Sequence, residues 1–188
     1  MIREIWNAIS SESGFEEYEF NVIEPPKCDV NYMSKCRKLC FENKCGKFGT
    51  NWGCPPGIGD EEECLELIKL YPKAVLLSRK FENVDVNDAD KIADMGSGHQ
   101  EICRRFANAM RHAGYKEVLP LGDGGCNYCG VCSYPKEPCK FPEQMVPSVS
   151  GFGICMDEYL NSNGIDFRFE DNVVTLYALI LYEERTKG

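Results

Sequence analysis

Cysteine is the residue type here that could do chemistry: the chain of 188 residues holds 12 cysteines against 2 histidines. The strongest pattern is Cys126-x2-Cys129-x2-Cys132-x6-Cys139, followed by Lys140-Phe141-Pro142. Two cysteines separated by two residues fit a tight turn that aims both sulfurs inward. Three in succession wrap one face of an iron–sulfur cubane, and a later cysteine closes it. Gly125 and Gly130 relieve the turn geometry, and Tyr128, Val131, Tyr134 and Phe141 are candidates for an apolar shell around a cluster. Zinc is the competing metal, because four thiolates also satisfy its tetrahedral shell. Zinc ligands usually come as two separated pairs, however, and this triplet leaves one sulfur spare. Cys129-Gly130-Val131-Cys132 also reads as a redox CxxC motif, but Cys126 and the prolines at 135 and 138 do not fit a CxxC that opens a helix.

A second group lies upstream: Cys28, Cys36, Cys40, Cys45 and Cys54. These are five candidates for four places, and Cys36, Cys40, Cys45 and Cys54 are expected to form a second metal site. Cys28 is the expected spare, since the charge of neighbouring Asp29 raises a thiol's pKa and opposes thiolate formation. Radical chemistry with S-adenosylmethionine would need CxxxCxxC; Cys36-x3-Cys40 starts that pattern, but the next cysteine is too distant. The alternative for this group is a set of free, partly buried cysteines acting as small hydrophobes. Cys64, Cys103 and Cys155 are expected to pack in the core. His99 and His112 lie about four helical turns apart, too far to share a metal. Gly122-Asp123-Gly124-Gly125 follows a strand as phosphate loops do, yet it opens onto Cys126 rather than a helix, which points to clearance for the metal loop. Neither Gly-x-Ser-x-Gly nor His-Glu-x-x-His occurs, so nothing supports a hydrolase.

Ordinary αβ elements must position the two groups. Met1 to Ser10 has helical spacing, and Phe15 to Ile23 alternates like a half-buried strand that ends at Pro25-Pro26. Residues 28–59 form the first cysteine-rich loop, too broken for long regular structure. Asp60 is the expected N-cap with Glu63 in the capping-box position, leading an amphipathic helix to Tyr71. Ala74 to Phe81 reads as a strand, and Asp88 to Ala113 as a long helix with a break expected at Gly96-Ser97-Gly98. Tyr115 to Leu121 reads as a third strand, followed by the second cysteine-rich loop, 122–147. A helix from Phe152 to Asn161 and a hairpin of Asp166–Phe169 with Val173–Tyr182 complete the chain. This order predicts one domain over 1–188: an α/β or α+β sandwich with a mixed sheet, helices packed on it, and two metal-binding loops.

Composition narrows the function. A 21.3 kDa chain that is 43% hydrophobic and 27% charged folds into a compact body. Its cysteine content is below the roughly 8–10% of disulfide scaffolds. Met1 to Ser10 lacks the apolar run of a secretion signal, and Leu176 to Tyr182 is too short to span a bilayer. A reducing cytoplasm is therefore expected, where cysteines bind metals rather than pair. The net charge of −9 argues against nucleic acid and anionic membranes as partners, because no Lys/Arg run offsets it. It suits docking on a basic redox protein such as a flavoprotein. Oligomeric state has no signal in the sequence.

Several motifs resemble one family. Lys35-Cys36, Cys45-x2-Phe48-Gly49-x2-Trp52-Gly53-Cys54-Pro55-Pro56, Gly125-Cys126-x2-Cys129-x2-Cys132, Pro138-Cys139 and Pro147-Ser148 look like the cysteine-rich predicted metal-binding family called domain of unknown function 2284. The resemblance spans nearly the whole chain and implies metal binding by both cysteine groups, with no established reaction. The chain departs from the family pattern at Ser150, where glutamate is usual, and at Cys155, where aspartate is usual. The functional expectation is a [4Fe–4S] cluster on Cys126, Cys129, Cys132 and Cys139 serving electron transfer or redox accessory work. The alternatives are a zinc-stabilised interaction module and an enzyme whose open cluster iron binds substrate.

Overall fold

The computed structural model describes residues 1–11 and 15–184. Helix α1 (Ile2–Ser10) forms where the periodicity predicts, with Trp6 and Ile9 buried on one face. Strand β1 (Glu19–Ile23) is shorter than expected, because a turn closes first, Tyr18 N–H donating to Phe15 O at 3.2 Å. Within the segment expected to be irregular lies a twelve-residue helix, α2 (Val30–Phe41). Asp29 caps it by accepting from Tyr32 N–H at 2.8 Å. Its buried face is Met33, Cys36 and Arg37, so no aliphatic stripe marks the helix in the sequence.

Helix α3 (Glu61–Lys69) has the expected capping box, Asp60 and Glu63 each accepting from the other's backbone N–H at 2.9 Å. Strand β2 (Lys73–Glu82) follows. Helix α4 (Ala89–His112) runs unbroken through Gly96-Ser97-Gly98. A Cβ at either glycine would meet nothing within 4 Å, and the buried residues just after them, His99, Gln100, Ile102, Cys103 and Phe106, anchor the helix. Strand β3 (Val118–Leu121), a single 3-10 turn (Pro142–Gln144), helix α5 (Met156–Ser162) and strand β4 (Val173–Tyr182) complete the described elements.

The strands form one sheet in the order β1-β2-β4-β3, and every pairing is antiparallel where a mixed sheet was expected. Asp166–Phe169 is not a strand. Both edges of β4 are already taken, by β2 on one side and β3 on the other, so no place remains for a hairpin partner. Alternation along the strands sends Val75, Leu77, Ala178 and Ile180 to one face, where they pack with Trp6, Phe20, Ile102 and Phe106. Ala74, Leu121, Leu179 and Leu181 face the other way, where they pack with Met33, Cys64, Ile68, Ile154 and Tyr159. Helices thus cover both faces of an α/β sandwich. Arg37 ties α2 into the second layer: its guanidinium donates to Gly151 O at 2.6 Å, Gly59 O at 2.9 Å and Cys64 Sγ at 3.0 Å, which satisfies a charge that is 3% exposed.

Candidate metal centre

The segment between α2 and α3 and the segment after β3 meet at one end of the sandwich. Trp52 Nε1 donates to Glu137 O at 3.0 Å, and Ser148 N–H donates to Gly53 O at 2.8 Å. The approach at this seam is so close that two glycines are required. A Cβ on Gly53 would lie 2.7 Å from Cys126 Cβ and 2.9 Å from Cys126 N, and one on Gly125 would lie 2.7 Å from Cys54 Sγ. The Gly-Asp-Gly-Gly turn therefore does provide clearance, and what it clears is the other cysteine loop.

Cys126, Cys129, Cys132 and Cys139 all line one cavity, with Trp52, Tyr128, Phe141 and Met145 as its apolar walls. The Cys129 thiol is pushed up by desolvation, then by Cys126, Cys139 and Cys132 in turn, as expected of sulfurs that share a small space. Local hydrogen bonds shape the loop: Ser133 Oγ donates to Pro138 O at 2.8 Å and Glu137 N–H to Ser133 O at 3.1 Å. Tyr128 packs edge-on against Phe141 at 5.3 Å, under the Arg104 guanidinium. Arg104 in turn donates to Asn127 Oδ1 at 3.2 Å. Tyr134 packs on Trp52 at 4.9 Å, behind the cavity. Val131, expected in the shell, is 91% exposed and takes no part.

The donor set fits a thiophilic metal: four thiols, with no imidazole or carboxylate on the cavity wall. The enclosed volume is about 20 Å³. Among the described residues no group of three or more Cys, His, Asp or Glu side chains is placed so that it could hold a metal ion.

The first group divides. Cys40, Cys45 and Cys54 lie near one another: burial first, and then Cys45, raises the Cys40 thiol, and burial raises Cys54 to about 11 with Cys45 and Cys40 adding to it against an Asn51 hydrogen bond. Phe41 and Phe48 pack at 5.2 Å, which folds the loop back over the end of α2. Cys36 is bonded instead to Cys155, 119 positions away, with Cα atoms 5.5 Å apart. Cys155 is thus no simple packing residue, and spacing carries no signal for so distant a partner. Cys28 stands apart beside Tyr32 and Tyr159, raised to about 11 by burial and then by Asp29, the direction expected. Cys64 and Cys103 are buried as predicted, at 1% and 0% exposure. His99 lies in the core with Nδ1 3.2 Å from Tyr18 Oη.

Between the loops runs an open groove of about 700 Å³, with Cys45 on one wall and Cys126, Cys129 and Cys132 on the other. Asp123 also lines it. Its Oδ2 accepts from Tyr177 N–H at 2.8 Å, and burial raises its carboxyl to about 6. Trp52, Gly53 and Met145 are the lining residues that sequence reasoning did not assign. The Trp-Gly-Cys-Pro-Pro motif marks the first two, whereas nothing in the sequence marks Met145.

The fold is thus an α/β sandwich with a cysteine-rich end, where the second loop's four thiols line one aromatic-walled cavity. The family model for predicted metal-binding protein (DUF2284) matches residues 22–182, and the chain belongs to that family. No curated protein and no solved structure matches it. No helix among the described residues is long and apolar enough to cross a membrane.

Proposed function

We propose that the chain holds a [4Fe–4S] cluster on Cys126, Cys129, Cys132 and Cys139 and works as an electron-transfer or redox accessory protein. The observation that carries this reading is that four thiols in x2-x2-x6 spacing line one aromatic-walled cavity without another donor type. A cluster bound there supplies a one-electron site whose potential follows from its hydrogen bonds and exposure. The chain's own residues do the rest. Four cysteines fill every ligand place, so no substrate coordinates at this centre. Trp52, Tyr128, Phe141 and Met145 form the apolar side of the centre, and the open groove reaches Cys126, Cys129 and Cys132 from the other side. Cys40, Cys45 and Cys54, with Cys36 when its thiol is free, form a second metal site across the Gly53–Gly125 seam. The net charge of −9 favours a basic redox partner such as a flavoprotein in a reducing cytoplasm.

One observation favours a second reading. A volume of about 20 Å³ has room for roughly one water-sized body, and a single zinc ion with four thiolates is more compact than a cubane. Anaerobic purification with iron, sulfide and zinc analysis separates the two. Iron and acid-labile sulfide in a brown protein support the cluster; stoichiometric zinc in a colourless one supports the structural module.

A further inference from the structure

The metal-binding reading gives no role to the bond between Cys36 and Cys155. We propose that Cys36 and Cys155 form a thiol–disulfide exchange site, open to a small dithiol at Cys155, whose oxidation withdraws Cys36 from the first cysteine group.

The juxtaposition is held by contacts that do not depend on the sulfur–sulfur bond. Tyr32 Oη donates to Cys155 O at 3.2 Å and accepts from Cys155 N–H at 3.1 Å. One residue nearer Cys36, Met33 packs so tightly on Gly153 that a Cβ there would come within 2.6 Å of the Met33 side chain. One residue beyond Cys36, Arg37 donates to Gly151 O at 2.6 Å, and Lys35 pairs with Glu158 of α5. Residues 32, 33, 35 and 37 of α2 therefore all grip residues 151–158, and the two sulfurs stay neighbours when the bond opens. Such preorganisation makes the pair reversible without refolding.

Exposure decides which sulfur is attacked. Cys36 is 3% exposed, whereas Cys155 is partly exposed at the start of α5. A thiolate of an incoming dithiol attacks Cys155 Sγ, breaks the S–S bond and expels the Cys36 thiolate, leaving a mixed disulfide. The second thiol of the reagent then attacks its own bound sulfur and expels the Cys155 thiolate. Two electrons pass from the dithiol to the pair. The reagent leaves as a disulfide, and its two protons end on Cys36 and Cys155. A disulfide such as oxidised glutathione reverses the reaction, taking the two electrons and leaving as two thiols.

Cys36 has a second set of neighbours. It sits four positions before Cys40 on α2, which places both on one helix face with Cβ atoms roughly 5–6 Å apart, and Cys40 stands with Cys45 and Cys54. When the pair is oxidised, that group has three thiols and an open ligand place. When it is reduced, Cys36 is free to be the fourth. A disulfide in a reducing compartment is characteristically transient, catalytic or sensing.

The test uses the full chain, purified anaerobically and incubated with dithiothreitol or oxidised glutathione. It is then acid-quenched, blocked with N-ethylmaleimide, digested and analysed by mass spectrometry. The expected result is a Cys36–Cys155 linked peptide with oxidised glutathione that disappears with dithiothreitol, when both residues carry the maleimide. Metal content of the same samples falls on oxidation in the wild type and stays constant in Cys155→Ser. The inference rests on the metal-binding reading only for this second readout; the peptide readout needs no metal, so the two failures are distinguishable. Absence of the linked peptide after oxidation, or its persistence after dithiothreitol, overturns the exchange site. Metal content that does not change with oxidation, zero included, overturns the withdrawal of Cys36.

Discussion

Adding one methyl group at Gly53 should disturb the metal centre more than adding one inside the metal loop itself. In a Gly53→Ala variant the new Cβ would sit 2.7 Å from Cys126 Cβ and 2.9 Å from Cys126 N. Both atoms are tied to the main chain, so no rotamer change relieves the clash. The seam cannot simply widen either, because Ser148 N–H holds Gly53 O at 2.8 Å and Trp52 holds Glu137 O at 3.0 Å. Overpacking of this kind costs about 1–3 kcal/mol. For a chain of this size that lowers Tm by about 2–12 °C, with Cys126 displaced from the other three cysteines and metal lost. At Gly130 a Cβ meets nothing within 4 Å, so Gly130→Ala should change stability by less than about 0.5 kcal/mol and leave the metal in place. Thermal melts and metal analysis of the two variants beside wild type make the comparison. Equal shifts in Tm, or a Gly53→Ala variant that melts and binds like wild type, would refute the interlocked seam.

Two further outcomes concern the frame. Asp60→Ala removes the side-chain half of the capping box, the bond accepted from Glu63 N–H at 2.9 Å; it should cost about 1 kcal/mol in urea unfolding without changing metal content, and an unchanged midpoint would count against the cap. Asp123 is raised to about 6 from 3.8, so the native state binds its proton more tightly than the unfolded chain; that contribution is present below the unfolded pKa and lost as pH rises through about 6. His99 is lowered to about 4 from 6.5 by burial, so its contribution is present above 6.5 and lost as pH falls through about 4; the two oppose each other across one window. Asp123→Asn keeps an acceptor for Tyr177 N–H and removes one side of that balance. Its stability relative to wild type should therefore rise by about 2 kcal/mol between pH 4 and 6, and a difference that stays flat would show that the carboxyl does not titrate in the fold.

Local chemistry was legible where one residue type has one dominant use. The Asp60 cap, the buried Cys64 and Cys103, the long β2 and β4 strands and the gathering of the second-loop cysteines beside aromatic walls all follow from patterns within a few residues. The α2 helix was not legible, because its inward face is built from Met33, Cys36 and Arg37 rather than from aliphatic residues. The antiparallel order was hidden for a different reason: β4 inserts between β2 and β3, a choice made by sheet edges and not by any single strand. The pairing of Cys155 was not legible, because its partner is 119 positions distant. The seam was half visible, since glycines beside cysteines signal close approach without saying what approaches.

The central claim is that Cys126, Cys129, Cys132 and Cys139 act together as one set of metal ligands. Metal analysis of anaerobically purified Cys132→Ala and Cys103→Ala, side by side with wild type, tests it most directly, because Cys132 lines the shared cavity and Cys103 is sealed in the core at 0% exposure. The expected result is that Cys132→Ala loses the second loop's metal and melts at lower temperature, since thiolate–metal bonds supply folding free energy, while Cys103→Ala keeps the wild-type metal content. Equal metal in the two variants would contradict the assignment.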